Sequence, residues 1–321
     1  MQCFNIPGPY DQYDLNMFFI NMYLDHKERF RDNVKISSVF GNFPFCIWDG
    51  GRNFLRYKQC TKEEIQKISA SYREMGIPIR LILTNPEIKE EHLYNRYCNM
   101  MVKECENDIN EIVVNSPLLE QYIRENYPKY KIISSTTKRI TSPDKFKDEL
   151  INHDYYQVCL DYDLNKNKEM LESIPMEDRK KCEFLINAIC PSHCPYRKEH
   201  YAKTGRYHLS FLKDVYDVSG CGIKESSVHP TVLGKNNNFT PEEIAEYEKM
   251  GFQYFKIEGR TLRSLDVLCM YCYYMIKPEW WFEVICEAST YGGITYNDNN
   301  APIEMNVHTP RLYGMAMTVD D

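Results

Sequence analysis

Between residues 36 and 258, short apolar runs alternate with longer amphipathic ones, and this alternation restricts the chain to very few folds. A helix after each strand carries the chain back across the sheet, so successive strands lie parallel and both sheet faces must be covered. Strand-like runs occupy 36–40, 79–84, 111–115, 130–134, 155–160, 183–189, 227–233 and 253–258. The helices between them carry explicit start signals. Thr61 stands before Glu64, Ser142 before Pro143 and Asp144, and Thr240 before Pro241, Glu242 and Glu243. Each pattern sets a hydroxyl and acidic groups where the free N–H groups of a first turn need acceptors. Gly76 closes the helix that precedes the second strand, with Pro78 just outside it. These units predict an α/β fold of the (β/α)8 TIM-barrel type, one domain over 1–321. Residues 1–34 read as an N-terminal helical extension with its helix over 13–30. Residues 278–321 read as a C-terminal extension with an extra helix over 278–288.

A chain of 321 residues is long enough to bury the core of such a barrel. Its formal charge of -7 argues against a protein built to coat nucleic acid. Residues 1–14 lack the basic and apolar segments of a secretory leader, and no apolar run is long enough to span a bilayer. The expectation is a cytoplasmic protein without a membrane partner. Thirteen cysteines, an odd number in a long chain, do not resemble an evenly paired disulfide scaffold, so reduced thiols are expected. Cys60, Cys98, Cys105 and Cys286 sit singly in apolar or helical runs and read as small buried hydrophobes. Cys269 and Cys272 have zinc-knuckle spacing but fall inside an apolar helix pattern, where packing is the reading.

In a parallel barrel, chemistry gathers where strands end and the following loops begin. The run at 183–189 leads into Cys190-Pro191-Ser192-His193-Cys194-Pro195, with Arg197 and His200 close behind, and Cys221 follows between Gly220 and Gly222. Thiolates are soft ligands suited to zinc, copper or iron–sulfur clusters. Cys190, Cys194 and Cys221 are therefore the candidate metal ligands. A fourth position stays open among Cys46, Cys159, His193, His200 or none; four ligands close a site, whereas three leave one position for substrate. Cys182 opens the strand that Cys190 ends and belongs to the opposite rim.

Lys256 and Glu258 alternate onto one face of the last strand, and Arg260 follows a glycine. Charges in a strand covered by helices must be paired or face the mouth. They make either an interior salt bridge that closes the barrel or an acid/base pair aimed at substrate, with Arg260 holding a carboxylate or phosphate. The loop at 45–53 gathers Trp48, Asp49, Gly50, Gly51 and Arg52, which suits a planar or anionic group or else forms a tight turn with an exposed arginine. Trp48, Arg52, Asn85, Asp161 and Arg197 are the candidate substrate-binding residues, with Asn115 on the same rim.

The stretch from Phe239-Thr240-Pro241 through Met250-Gly251-Phe252 to Lys256-Ile257-Glu258-Gly259-Arg260 resembles the signature of the collagenase-like protease superfamily. There a proline-led helix precedes a strand ending in lysine, glutamate, glycine and arginine. The loop at 48–52 and the segment at 190–200 are similar to hallmarks of a divergent branch. Members include proteins described as proteases and others that hydroxylate ubiquinone precursors or ribosomal RNA bases, and several hold a four-iron cluster through four cysteines. The resemblance implies a [4Fe-4S] cluster at Cys190, Cys194 and Cys221, with zinc as the alternative. It implies a hydroxylase-like redox or group-transfer enzyme, dependent on that cluster, acting on a small organic or RNA-linked substrate. A peptidase-like metal-dependent hydrolase and a non-catalytic metal-containing subunit stay open, as do a protein partner and a homo-oligomer. No His-Glu-x-x-His zinc motif occurs in the chain.

Overall fold

Eight parallel strands pair in chain order and close on themselves: β1 (Gln2–Pro7), β2 (Val34–Gly41), β3 (Ile79–Leu83), β4 (Glu111–Val114), β5 (Lys131–Ser134), β6 (Gln157–Cys159), β7 (Cys182–Leu185) and β8 (Tyr254–Lys256). This is the arrangement of a computed structural model that describes residues 1–51, 58–152, 154–188, 190–211, 238–260 and 262–291. The ring is sealed where β8 meets β1, with Cys3 opposite Tyr254 and Asn5 opposite Lys256. The (β/α)8 architecture is thus realised.

Its staves are not all those read from the sequence. The first strand is Gln2–Pro7, so the N-terminal segment is a stave of the barrel followed by its helix, not an appendage to it. The run at 227–233, expected as the seventh strand, lies outside the described residues. The barrel is complete without it, because β7 pairs directly with β8, Glu183 opposite Tyr254 and Leu185 opposite Lys256.

Helices follow the strands as the alternation requires: α1 (Tyr13–Asp25), α2 (Lys62–Glu74), α3 (Glu90–Leu93), α4 (Arg96–Cys105), α5 (Pro117–Asn126), α6 (Pro143–Asn152), α7 (Lys168–Glu172), α8 (Met176–Arg179), α9 (Arg197–Leu209), α10 (Pro241–Lys249), α11 (Ser264–Met275) and the extra C-terminal α12 (Trp281–Tyr291). The caps form as expected. Thr61 accepts from the Glu64 N–H at 3.2 Å while the Glu64 carboxylate takes the Thr61 N–H at 2.7 Å, and Thr240 with Glu243 repeats the exchange. α12 is held against the end of α1 by Arg29, which donates to Glu283 at 2.9 Å and Glu287 at 2.8 Å.

Side chains alternate across a strand, so each stave feeds two cores. Outward residues such as Phe4, Ile6, Leu81, Ile112, Val114, Phe184 and Phe255 pack beneath the helices in the main apolar cluster. The inner apolar set is far smaller, comprising Phe40, Ile82, Val113, Ile133 and Cys159. Much of the rest of the inner lining is polar, and that polarity positions the site.

Candidate functional site

At the centre of the barrel, the fully buried Arg80 of β3 donates to Glu111 at 2.7 Å, to Gln157 at 2.7 Å and to Glu183. Glu183 and Gln157 belong to strands far around the ring, so these bonds cross the interior. Glu183 also accepts from Asn5 and from the Cys159 thiol, and Asn5 in turn accepts from Ser38 at 2.7 Å. Burial alone would raise the Glu183 carboxyl, but Arg80 and Lys256, with the Cys159 and Asn5 donors, bring it below its ordinary value. The interior salt bridge that sequence patterning placed at Lys256 and Glu258 is therefore made by Arg80, Glu111 and Glu183.

Lys256 stands apart from that network. Its ammonium lies 4.1 Å from the Phe40 ring centroid and takes no hydrogen bond or ion pair among the described residues. Burial depresses its pKa, against the pull of Glu183 and Cys159, and the cations Arg80 and Arg260 push the same way. It remains partly exposed toward the mouth.

Above it, the loops after β8, β1 and β2, which are neighbouring staves, bring together Arg260, Asp11 and Asp49. One guanidinium nitrogen of Arg260 reaches both Asp49 carboxylate oxygens at 3.0 Å, and the other donates to the Gly50 carbonyl at 3.2 Å. Asp11 is pushed up to about 7 by burial, with Asp49 adding repulsion and Arg260 only partly offsetting both. His208 of α9 underlies the Asp49 backbone, its Nδ1 2.9 Å from the Asp49 carbonyl. Burial holds this ring below its usual pKa; the neutral tautomer with the proton on Nδ1 then donates to that carbonyl.

The opposite side of the mouth is built from the loops after β5, β6 and β7. Arg139 donates to Asp161 at 2.6 Å and to Asp163 at 3.1 Å, and the His193 N–H reaches Asp163 at 2.7 Å. The fully buried Arg197 lies 4.5 Å from the Tyr162 ring centroid, within 3.4 Å of Asp161, and donates to the Pro191 carbonyl. Asp163 stays below its ordinary pKa because the His193 N–H, Arg197 and Arg139 outweigh burial, whereas burial wins at Asp161 and raises it. A cavity of about 460 Å³ opens here, lined by Arg139, Asp163, His193, Cys194 and Lys198 among others.

Several candidates prove to be fasteners of the loops. Trp48 is fully buried and its indole N–H donates to the His92 carbonyl at 2.9 Å, so the ring packs beneath the loop and does not face the mouth. Asn85 is fully buried and donates to the carbonyls of Ile47 at 2.8 Å and Gly205 at 3.1 Å. A Cβ on Gly205 would sit 2.3 Å from the Asn85 Oδ1, and one on Gly50 2.3 Å from the Thr84 carbonyl oxygen, so both glycines permit the close approach that Asn85 secures. Asp161 and Arg197 neutralise each other's surroundings and are not bare charges awaiting substrate. Glu258 is buried, with its backbone clasped on both sides by the Asn187 amide. Arg52 and Cys221 lie outside the described residues.

Cys190 and Cys194 do share the mouth rim, both buried. Arg197 feels the charge of Cys190, which places cation and thiol in the same electrostatic neighbourhood. Of the candidate fourth ligands, Cys46 packs 3.7 Å from Cys98 and the Cys159 thiol is engaged by Glu183, so neither joins them, whereas His193 lines the same cavity as Cys194. Among the described residues no group of three or more His, Cys, Asp or Glu side chains is placed to hold a metal ion. Two thiols fall short of the ligand set of a [4Fe-4S] cluster, so the described residues alone do not fit that group.

Asp11, Arg80, Glu111, Glu183 and His208 were not singled out from the sequence. Arg80, Glu111 and Glu183 had a signal, since they are charges inside strand-like runs, the same feature that marked Lys256. Asp11 had none, because its environment is assembled from three loops far apart in the chain.

No family model matches the chain, and no curated protein matches it. A search of solved structures finds similarity to a U32 peptidase, with a TM-score of 0.43 and 13% identity, covering 70% of this chain and 85% of that one. No helix among the described residues is long and apolar enough to cross a membrane.

Proposed function

We propose that this chain is an enzyme of proton-transfer chemistry, acting on a small polar substrate seated over β8, β1 and β2. The observation that carries this reading is the convergence at the mouth of the Asp49–Arg260 pair with Asp11, whose carboxyl burial there pushes up to about 7. A group so poised is half protonated near neutrality and can both take and return a proton, which is what general acid–base catalysis needs. Asp49 and Arg260 fix the local charge, and His208 braces the loop that carries Asp49. Arg260 keeps the rim cationic, so developing negative charge on a substrate oxygen would be stabilised.

Exchange of carbon-bound protons beside a carbonyl reports such chemistry directly. In deuterated buffer near neutral pH, the protein should accelerate loss of the methyl proton signal of pyruvate, acetone or dihydroxyacetone methylene protons over buffer alone. Asp11→Asn should reduce that acceleration on the order of 10²-fold. No acceleration with any of these probes, or an Asp11→Asn protein as fast as the parent, overturns the assignment.

A second reading rests on the two buried thiols of the β7–α9 loop beside Arg197. In it Cys190, Cys194 and Cys221 hold a [4Fe-4S] cluster or zinc, and the substrate is a small organic or RNA-linked molecule that is hydroxylated, or a peptide that is hydrolysed. Iron, sulfide and zinc analysis of anaerobically purified protein tests it. Metal that persists in a Cys190→Ala/Cys194→Ala variant, or its absence from the parent protein, rejects that ligand set.

A further inference from the structure

We propose that Lys256 is a carbonyl-reactive amine that forms an imine with a small aldehyde or ketone at the floor of the barrel mouth. This deepens the proton-transfer reading and rests on it for the carboxyl that serves the bound molecule.

Geometry carries the assignment. The other charges of the inner lining are committed: Arg80 to Glu111, Gln157 and Glu183, and Glu183 to Arg80, Asn5 and the Cys159 thiol. A lysine kept there as a structural cation would be expected to join a carboxylate, since an unpaired ammonium in a low-dielectric site is costly. Lys256 instead rests against the Phe40 ring and has no oxygen partner among the described residues. It closes β8 at the end where the chemistry of such barrels is found. Phe40, Ile82, Val113 and Ile133 give an apolar floor beside it, which suits the carbon skeleton of a small carbonyl compound. Burial and the flanking cations Arg80 and Arg260 favour the free amine, against Glu183 and Cys159. The rival nucleophile in the same layer, Cys159, is disarmed: burial and the Glu183 charge raise its thiol pKa, and its proton is held by Glu183.

The step balances without an outside oxidant. The ammonium gives up one proton, and the nitrogen lone pair attacks the carbonyl carbon as the carbonyl π electrons move to oxygen. That oxygen takes up a proton as the nitrogen releases its second one, is protonated again, and leaves as water while the nitrogen lone pair forms the C=N bond. The sum is one ammonium and one carbonyl giving one protonated imine and one water. The imine then acidifies the neighbouring C–H bond, which is the proton a carboxyl of Asp11's kind exchanges.

The full-length protein incubated with pyruvate and cyanoborohydride, then digested and read by mass spectrometry, tests this within one molecule. Lys256 should be alkylated at least about tenfold faster than any other lysine, because the apolar floor holds the carbonyl beside an amine that burial disfavours as ammonium. That preference should vanish in urea. Labelling in which Lys256 is no faster than the surface lysines overturns the proposal. So does a Lys256→Arg protein that exchanges the pyruvate methyl protons at the parental rate. In the latter case a loss confined to Asp11→Asn leaves the acid–base reading standing. Selective labelling of Lys256 with exchange indifferent to Asp11→Asn supports the imine and removes the role of Asp11.

Discussion

Arg80→Met should destabilise the protein by about 3–5 kcal/mol, the range for removing one partner of a buried ion pair. The substitution nearly conserves volume, so a cavity does not explain the loss. What it leaves is Glu111 and Glu183, both essentially without solvent contact, facing each other's charge without the guanidinium that bridges them. The sign of the pH dependence follows from Glu183, whose folded pKa lies below its ordinary value. A depressed carboxyl contributes stability that is present above its unfolded pKa and is lost as pH falls through the folded one. The gap between parent and variant in urea unfolding should therefore be widest near neutrality and narrow below about pH 4. A gap under about 1 kcal/mol at neutral pH would mean that water reaches the barrel centre and relieves the carboxylates.

Asp11→Asn should act in the other direction and stabilise the protein at high pH. The Asp11 carboxyl is raised from 3.8 to about 7, so the folded chain holds its proton where the unfolded chain does not. Such a group's contribution is fully present below the unfolded pKa and lost as pH rises through the folded one. At pH 8 the parent carries a half-buried carboxylate that the asparagine variant lacks. The displacement is worth at most about 4 kcal/mol, and water at the rim trims this to roughly 1–3 kcal/mol. Urea unfolding of the two proteins should give nearly equal stabilities at pH 4 and a more stable variant at pH 8. A difference that does not change between those pH values would show that Asp11 titrates as an ordinary carboxyl. A residue that costs stability at working pH is the pattern expected of a functional position.

The barrel was legible because helix caps and apolar runs are local signals. Thr61 with Glu64 and Thr240 with Glu243 are complete within single turns, and Ile79–Leu83 reads as a strand whatever surrounds it. β1 escaped because its central inward position is polar. Asn5 faces the interior to serve Glu183 and Ser38, and that duty breaks the apolar run by which a buried strand is recognised. The same cause hid the centre of the molecule: a barrel lined by Arg80, Glu111, Gln157 and Glu183 shows in sequence as isolated charges whose partners lie on other staves. Lys256 and Arg260 were found because they share one short stretch. The behaviour of Asp11 arises only when the loops after β1, β2 and β8 converge, and no spacing rule reports that. Trp48 and Asn85 illustrate the converse, since position at a strand end does not distinguish a side chain that faces the mouth from one that ties the loops together.

Carbon NMR of protein labelled at the aspartate carboxyl carbons should reveal one carboxyl at the mouth that exchanges its proton near neutrality. The resonance that disappears in Asp11→Asn identifies the group. Its titration should have a midpoint near 7, whereas a midpoint near 4, the ordinary aspartate value, would leave the mouth without a group poised to exchange protons near neutrality.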